Sequence, residues 1–282
     1  MSLDELNGVS FDPIRVRVAP EKVAEYVAAT GDDPDRWVDV APPSYAGAIL
    51  FMAAPLLLER DDVRSYTKVL VHVDQRFTWR QPLEVGVDLK LTGAVTKVRS
   101  RGASTFVTFE VAVDSPKGRV LDSVSTFLMG EEPAGEPGPD PGEPPAHVRG
   151  PNENPPKAVS GELGTLAKSA SRIDLVRYAG ASGDFNPIHY DHEAARGAGL
   201  NGIVVHGLLM GAWISQLAAS ASTRPDPLTE LRLRFRNALR PGVAAAVTAD
   251  PGEVHDDVQR VDLAVSADGV DFVTATAHVR VG

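Results

Sequence analysis

The order of predicted elements in the first half of this chain recurs in its second half, and no other feature constrains the fold as strongly. Residues 1–130 contain a helix, a Gly-Asp turn, an apolar helix and then strand-like runs. Residues 159–282 repeat that order. The turns also match, since YVAATGDDP at 26–34 is similar to YAGASGDFNP at 178–187. Two copies of one supersecondary unit are too few for a solenoid, so the repeat predicts a pseudo-symmetric pair.

The strand-like runs of the two halves can be aligned as well. RFTWRQPLEVG at 76–86 matches RFRNALRPG at 234–242. Apolar and polar residues alternate along these runs, and Ser, Pro, Lys and Gly turns bound them, which indicates antiparallel strands. An α+β arrangement, in which an antiparallel sheet packs on a helix, follows from this pattern.

The segment between the halves has a different composition from both. Residues 131–158 are so dense in Pro, Gly and Glu that they cannot bury a core, which predicts a semi-extended tether. We therefore expect an N-terminal unit at 1–130, a linker at 131–158 and a C-terminal unit at 159–282.

Composition excludes several classes of function. With 43% hydrophobic and 23% charged residues, the chain is typical of a soluble globular protein. A net charge of −10 argues against nucleic-acid partners, which bind through Lys and Arg. No apolar run approaches the roughly 20 residues of a membrane span, and the N-terminus lacks a secretory signal, so we expect a cytoplasmic protein without a membrane partner. There is no Cys, no phosphate loop and no metal-spaced His pair, so we expect neither cofactor nor metal.

One turn-rich segment of the second half carries the strongest chemical signal. Asp184 and His189 lie five residues apart on it. Asn186 and Pro187 shape the turn between them, and an apolar helix begins at Gly207. A neutral imidazole is a suitable base near pH 7, and a buried carboxyl can act as its partner acid. A helix N-terminus adds free N–H groups nearby.

The string SGDFNPIH, followed by HG, resembles the hydratase signature of the MaoC-like, (R)-specific enoyl-thioester hydratases and dehydratases. The resemblance implies a hotdog fold, and with the repeat a double hotdog. It implies that Asp184 and His189 are the catalytic acid and base. It also implies that the Gly207 N–H binds the thioester oxygen, and we place Asn186 and Ser182 with it as substrate-binding residues.

The family's chemistry sets the remaining expectations. Water is added to, or removed from, a carbon–carbon double bond conjugated to a thioester. The resemblance thus implies an acyl-CoA or acyl-carrier-protein (ACP) substrate, with the acyl group and the physiological direction left open. A homodimer or a hetero-oligomer is the assembly to be considered.

The first copy of the repeat departs from the signature. Asp32 occupies the place of Asp184, but no His follows within ten residues. No HG precedes the first apolar run either. We therefore expect residues 1–130 to be non-catalytic and to serve as scaffold and acyl-binding wall. Of the remaining His residues, we interpret His206 as a structural neighbour and His192 as a solvated surface residue.

Two further functions and one cluster stay open. A hotdog thioesterase would use the same fold and a carboxylate, although the signature does not suit its chemistry. A non-catalytic acyl-binding subunit would fit the degenerate first half. The arginines of one strand-like run form either a solvated face or a contact for carrier phosphates; they are Arg232, Arg234, Arg236 and Arg240.

Overall fold

Ten strands and six helices form the part of the chain that the structure describes. The computed structural model describes residues 3–101, 104–133, 135–147, 150–155, 157 and 163–281. The helices are α1 (Pro20–Thr30), α2 (Ala46–Ala53), α3 (Pro55–Leu58), α4 (Arg172–Ser182), α5 (His192–Gly197) and α6 (Gly207–Ala219). The strands are β1 (Ile14–Arg17), β2 (Val69–Trp79), β3 (Asp88–Arg101), β4 (Ser104–Ser115), β5 (Gly118–Gly130), β6 (Leu166–Lys168), β7 (Leu228–Phe235), β8 (Ala245–His255), β9 (Val258–Ala267) and β10 (Val270–Arg280).

Helices α1 and α4 are equivalent elements of the two halves, and local sequence sets both of their ends. Pro20 opens α1, where a missing N–H costs nothing. Ser171 caps α4 through a capping box with Asp174. Each helix ends at a glycine in the left-handed region, Gly31 at φ 65° and Gly183 at φ 80°. Helices α1 and α4 pack on each other, and the turns that follow them lie at opposite ends of α6, because Thr30 contacts Gln216 whereas Asp184 shares a cavity with Gly207.

Helix α6 is the central helix of the second half. Its residues from Leu208 to Ala219 are all buried. A helix that is apolar on every side belongs in a core. Strands β7 to β10 pack against it, and α2 contacts β3 and β5 in the first half. In the described part of the chain, no helix has both the length and the apolar character needed to cross a membrane.

One antiparallel sheet joins the two halves. Its strand order is β1-β3-β4-β5-β2-β7-β10-β9-β8-β6, which is symmetric about the β2–β7 pair. In that central pair Arg76 lies opposite Arg232, and Phe77 lies opposite Leu231. The pairing removes one open sheet edge from each half. The predicted repeat is therefore confirmed, and the architecture is that of a double hotdog.

The sequence patterns did not predict the two outermost strands. Strand β1 has four residues and pairs with β3, and β6 has three and pairs with β8. Such short runs show too few alternations for a period of two to be recognised. They occupy equivalent positions at opposite edges of the sheet, which extends the internal symmetry.

The segment between the halves is held against the second half. Its described residues form no helix, and their one strand-like contact is a bridge between Asn152 and Lys168. The Gly138 N–H donates to Asn201 Oδ1 at 2.7 Å, and Asp140 contacts His192 at 3.0 Å. The expectation of a solvated His192 is therefore wrong, because that residue is buried. The domain boundaries at 131 and 158 stay a prediction.

Candidate active site

The Asp184 carboxyl projects from a turn that begins where α4 ends. Gly183 takes the left-handed conformation at the helix end and redirects the chain. The Asp184 N–H then donates to Ser182 Oγ at 3.2 Å, and the Asn186 N–H donates to Asp184 Oδ1 at 3.3 Å. Local hydrogen bonds thus orient the carboxyl and leave Oδ2 for other partners. Ser182 accepts a hydrogen bond within this turn but does not line the cavity. Its contact with substrate stays a prediction.

Asn186 connects this turn to the other half of the molecule. Its side-chain Nδ2 donates to the Leu70 carbonyl on β2 at 3.0 Å. Its Oδ1 accepts from the Ile188 N–H at 3.4 Å and caps the short 3₁₀ turn that carries His189. One amide therefore caps the turn between Asp184 and His189 and bonds it to a first-half strand. These bonds give Asn186 a structural role. Its contact with substrate stays a prediction.

His189 is held in a single tautomer. Its Nδ1 lies 2.8 Å from the Val204 carbonyl oxygen, which can only accept, so Nδ1 carries the proton. Nε2 is then the unprotonated nitrogen, and it lies 3.9 Å from Asp184 Oδ2. That separation is too long for a hydrogen bond. Both groups therefore remain free to reach a third atom between them.

Burial sets the protonation of this pair. Burial raises the pKa of Asp184 above its usual range, although nearby His189 and the Asn186 N–H oppose the rise. Burial likewise lowers the pKa of His189, and Asp184 opposes that fall. Both shifts favour the uncharged form of each group. Shifts in these directions suit general acid–base chemistry, because they make the carboxyl hold its proton more readily and the imidazole stay neutral.

His206 takes a larger part in the site than the sequence suggested. Its ring stacks on His189, with centroids 3.7 Å apart and planes 22° apart. Its Nε2 donates to the Asp184 backbone carbonyl at 3.2 Å, and its Nδ1 is buried without a partner. Burial, followed by the neighbouring His189, lowers its pKa well below the usual value. The His206 ring therefore favours its neutral form, and its stacking on one face of the His189 ring limits the rotation of that ring.

The same three residues lie close enough together to be considered as a metal site. One ligand atom from each of Asp184, His189 and His206 lies within 4.8 Å of the others. An imidazole binds a metal in the plane of its ring, along the nitrogen lone pair. The two rings here are stacked nearly parallel, so an ion shared by both would lie far out of each plane. The geometry fits acid–base work better than coordination.

Gly207 places the N-terminus of α6 in the same cavity. It is the first residue of the helix, where N–H groups have no partner within the helix. A Cβ at this position would lie 2.8 Å from the Phe235 ring, so glycine is needed for the close approach. The cavity has a volume of about 260 Å³ and includes Asp184, Asn186 and His189 in its lining. The structure thus brings four of the five predicted site residues together.

The first half supplies the opposite wall of the cavity. Its contribution includes His72 on β2, which lies between Phe127 and Phe235 at centroid distances of 4.7 and 5.0 Å. The sequence analysis missed His72. No pattern in β2 marks it, because that strand also carries the polar residues Asp74, Gln75, Arg76 and Thr78. Asp32, by contrast, lies outside this cavity and accepts a hydrogen bond from Trp37 Nε1 at 3.0 Å.

The arginine cluster divides between two surroundings. Arg232 and Arg234 are exposed and form ion pairs with Asp74 at 3.3 and 3.6 Å. Arg236 lies at the cavity and donates to Thr274 Oγ1. Arg240 donates to the backbone carbonyls of the segment between the halves, at Pro141 and Gly142. Strand β7 therefore carries a solvated face, and Arg236, directly after it, places a cation at the cavity.

Known proteins resemble the chain in both halves. Residues 146–269 match the MaoC like domain, and residues 5–123 match the FAS1-like dehydratase domain region. The 3-hydroxyacyl-thioester dehydratase X of Mycobacterium tuberculosis is 27% identical over 280 residues, which span 98% of this chain and 91% of that protein. A UPF0336 protein of Clavibacter michiganensis is 35% identical over 126 residues, 40% of this chain and 84% of that protein.

Solved structures agree on the fold. A MaoC-like dehydratase superposes over the whole of both chains with a TM-score of 0.80 at 22% identity. A conserved hypothetical protein of Mycobacterium tuberculosis with a double hotdog fold superposes with a TM-score of 0.62 at 13% identity, over 97% of this chain and 96% of that one.

Fold and site together define a double-hotdog protein whose second half carries a buried carboxyl–imidazole pair. The chain belongs to the MaoC-like dehydratase family. It is accordingly an enzyme of the hydro-lyase class, a hydratase or dehydratase.

Proposed function

We propose that the chain interconverts 2-enoyl thioesters and (R)-3-hydroxyacyl thioesters, with Asp184 and His189 as acid and base. The observation that carries the proposal is the geometry of this pair. Both groups are buried, 3.9 Å apart, in one cavity with the N-terminus of α6. The similarity to a 3-hydroxyacyl-thioester dehydratase supports the substrate class. The SGDFNPIH signature supports the (R) configuration.

His189 is the base in the hydration direction. Its unprotonated Nε2 accepts a proton from water as the water oxygen bonds to C3 of the enoyl group. The hydrogen bond from Nδ1 to Val204 keeps the correct nitrogen unprotonated and becomes stronger as the ring gains charge. The stacked His206 ring prevents His189 from turning away.

Asp184 supplies the second proton. As the C2–C3 double bond is consumed, the protonated carboxyl donates to C2. The step leaves an imidazolium and a carboxylate 3.9 Å apart. Return of the proton from His189 to Asp184, through the next water or a small movement, restores the starting pair. Dehydration runs through the same steps in reverse.

The N-terminus of α6 stabilises the charge that develops between these proton transfers. Electron density moves from C3 to the thioester oxygen as the enolate forms. Gly207 lines the cavity as the first residue of α6, and in this proposal its N–H donates to that oxygen, aided by the positive end of the helix dipole. A single preorganised donor of this kind contributes roughly 3 kcal/mol to transition-state stabilisation. CoA and ACP present the same thioester to the site, so either carrier suits this chemistry.

The test is a spectrophotometric assay with crotonyl-CoA, followed by chiral analysis of the product. Loss of enoyl absorbance without release of free thiol, and an (R)-3-hydroxybutyryl product, are the expected results. Free thiol would instead identify a thioesterase. A predominantly (S) product would remove the support for these residue roles. Failure across a panel of acyl lengths and sterol-like thioesters would favour a non-catalytic acyl-binding subunit.

A further inference from the structure

His72 is a polar group in a wall that is otherwise apolar. The first half lines the catalytic cavity with Phe51, Leu70, Val71 and Phe127 beside it. Nothing in the acid–base chemistry of Asp184 and His189 uses an imidazole on this side. The ring is nevertheless held firmly, because Phe127 and Phe235 flank it.

A buried hydrogen-bond network sets the tautomer of His72. Gln75 is fully buried, and its Nε2 donates to the Arg76 carbonyl at 3.0 Å and to Ser123 Oγ at 2.9 Å. Its Oε1 must therefore accept, and it does so from Ser125 Oγ at 2.6 Å and from His72 Nε2 at 3.1 Å. Nε2 of His72 thus carries the proton.

His72 consequently presents an acceptor. Burial lowers its pKa to about 4, so the ring is neutral at pH 7. A neutral ring with its proton on Nε2 has a lone pair on Nδ1, and that nitrogen accepts a hydrogen bond. The group that matches an acceptor in an apolar wall is a hydroxyl or another donor.

The fold itself does not require this network, and the internal repeat supplies the comparison. Arg76 aligns with Arg234 in the matched strand sequences, so Gln75 aligns with Leu233. Opposite Gln75 lies Ser125, whereas opposite Leu233 lies Ala275.

Ser123 lies opposite Phe77, and Val273 occupies the equivalent place opposite Phe235. The second half therefore fills the same three positions with Leu, Ala and Val. Burying an amide and two hydroxyls costs free energy unless every partner is satisfied. The first half has these polar residues and the second half does not. Because they orient His72, their presence points to a role for that residue.

The catalytic turn and His72 have a fixed relative position. Asn186 of that turn donates to the Leu70 carbonyl, two residues before His72 on β2. Asp184, His189 and His72 line one cavity, so a substrate held by the first two can reach His72.

We propose that His72 is a specificity-determining residue that accepts a hydrogen bond from a hydroxyl on the acyl chain, and that the preferred substrates are thioesters of hydroxylated acyl groups. This inference rests on the proposed hydratase function. Gln75 and Ser125 act through His72 and are positioning residues.

The experiment compares 2-hexenoyl-CoA with its 4-, 5- and 6-hydroxy derivatives, so that chain length is constant. The wild-type enzyme should favour at least one hydroxylated substrate by about tenfold or more in kcat/KM, since a site built to bind a hydroxyl discriminates against its absence. His72→Phe should reduce that ratio to about one, because phenylalanine cannot accept the bond. The ratio is the readout, whatever happens to the absolute rates.

A second variant keeps the test decisive if His72→Phe folds poorly. Gln75→Leu/Ser125→Ala installs the residues of the other repeat and leaves His72 in place. It should fold with an unchanged or higher Tm yet lose most of the preference, because the His72 ring is no longer held in one tautomer. His278→Phe is the matched control, since this half-buried His lies outside the cavity lining. It should keep the wild-type ratio.

Two results would overturn the inference. One is a wild-type enzyme with no preference for any of the three hydroxylated substrates. The other is a preference that survives both His72→Phe and Gln75→Leu/Ser125→Ala. If His72→Phe lowered kcat/KM equally on all substrates, the preference for the hydroxylated substrates would be unchanged. That result would also overturn the inference and would place His72 at the reacting water. Crotonyl-CoA hydration by the wild-type enzyme tests the proposed function separately, so either proposal can fail alone.

Discussion

Asp184 and His189 occupy a buried site in which each group is favoured in its uncharged form. Burying two titratable groups in this way destabilises the folded chain, and under the proposed mechanism it favours the forms that proton transfer needs. The chemical and structural roles of the two residues can therefore be separated by substitution.

We expect Asp184→Asn and His189→Ala each to lower kcat by at least about a hundredfold, the usual scale for losing a general acid or base. Asp184→Asn should leave Tm unchanged or raise it, because an amide is neutral without the cost of keeping a buried carboxyl protonated at neutral pH. Crotonyl-CoA kinetics and thermal unfolding measure the two effects.

Asp32→Asn is the matched control, since Asp32 holds the equivalent place in the first copy. It should leave kcat within about threefold, because it has no partner His in a cavity. An Asp32 effect as large as that of Asp184 would contradict the assignment of one active site per chain.

The pH dependence follows from the direction of the two pKa shifts. His189 must be unprotonated, so kcat/KM falls as pH drops through its pKa, which burial places below 6.5. Asp184 must be protonated, so kcat/KM falls as pH rises through its pKa, which burial places above 3.8. We expect a bell-shaped profile whose apparent values belong to the pair. An acidic limb centred above pH 6.5 would count against this protonation scheme.

Gly207→Ala tests the close approach at the start of α6. The added Cβ would lie 2.8 Å from the Phe235 ring, which must then move within the cavity. We expect kcat/KM to fall by about tenfold or more as the oxyanion donor shifts. Gly180→Ala is the control, because a Cβ there meets nothing within 4 Å. It should raise the unfolding free energy by about 0.5–1 kcal/mol and leave the rate unchanged. Equal kinetics for the two variants would refute this role of Gly207.

At the scale of elements, the catalytic turn depends on a strand from the other half. Asn186 both caps the turn and donates to Leu70 on β2. We expect Asn186→Ala to lower the unfolding free energy by about 1–2 kcal/mol, the scale of a lost cap, and to lower kcat. Chemical denaturation and steady-state kinetics measure both quantities.

Asn186→Asp distinguishes the two bonds of this amide. It keeps an acceptor for the Ile188 N–H but sets a carboxylate against the Leu70 carbonyl oxygen, so it should be at least as inactive as Asn186→Ala. Wild-type kinetics for Asn186→Asp would show that the bond between the halves is dispensable.

At the scale of the whole molecule, two features contribute to the association of the halves. One is the β2–β7 pair, and the other is the segment between the halves, which packs on the second half. We expect 1–135 and 136–282, expressed together, to copurify and hydrate substrate. Residues 156–282 alone should be poorly soluble or inactive, because β7 becomes an open edge and the cavity lacks its first-half wall. Size-exclusion chromatography with the hydration assay measures this.

A second split isolates the docked segment. Pairing 1–135 with 156–282 removes Asp140 and its contact with His192, so this pair should be less stable than the first. Full activity and a monomeric state for 156–282 alone would contradict the fused-pair architecture.

Local sequence determined the helices, the longer strands, the repeat and the turn that carries Asp184 and His189. Each depends on neighbours in the chain, such as the Ser171 capping box or the Gly183 helix end. Contacts between distant residues were decided by the tertiary structure alone. Asn186 meets Leu70 across 116 positions. His206 stacks on His189 within the second half. His72 enters the cavity from the first half because β2 and β7 pair at the centre of the sheet, and no periodicity within either half encodes that approach.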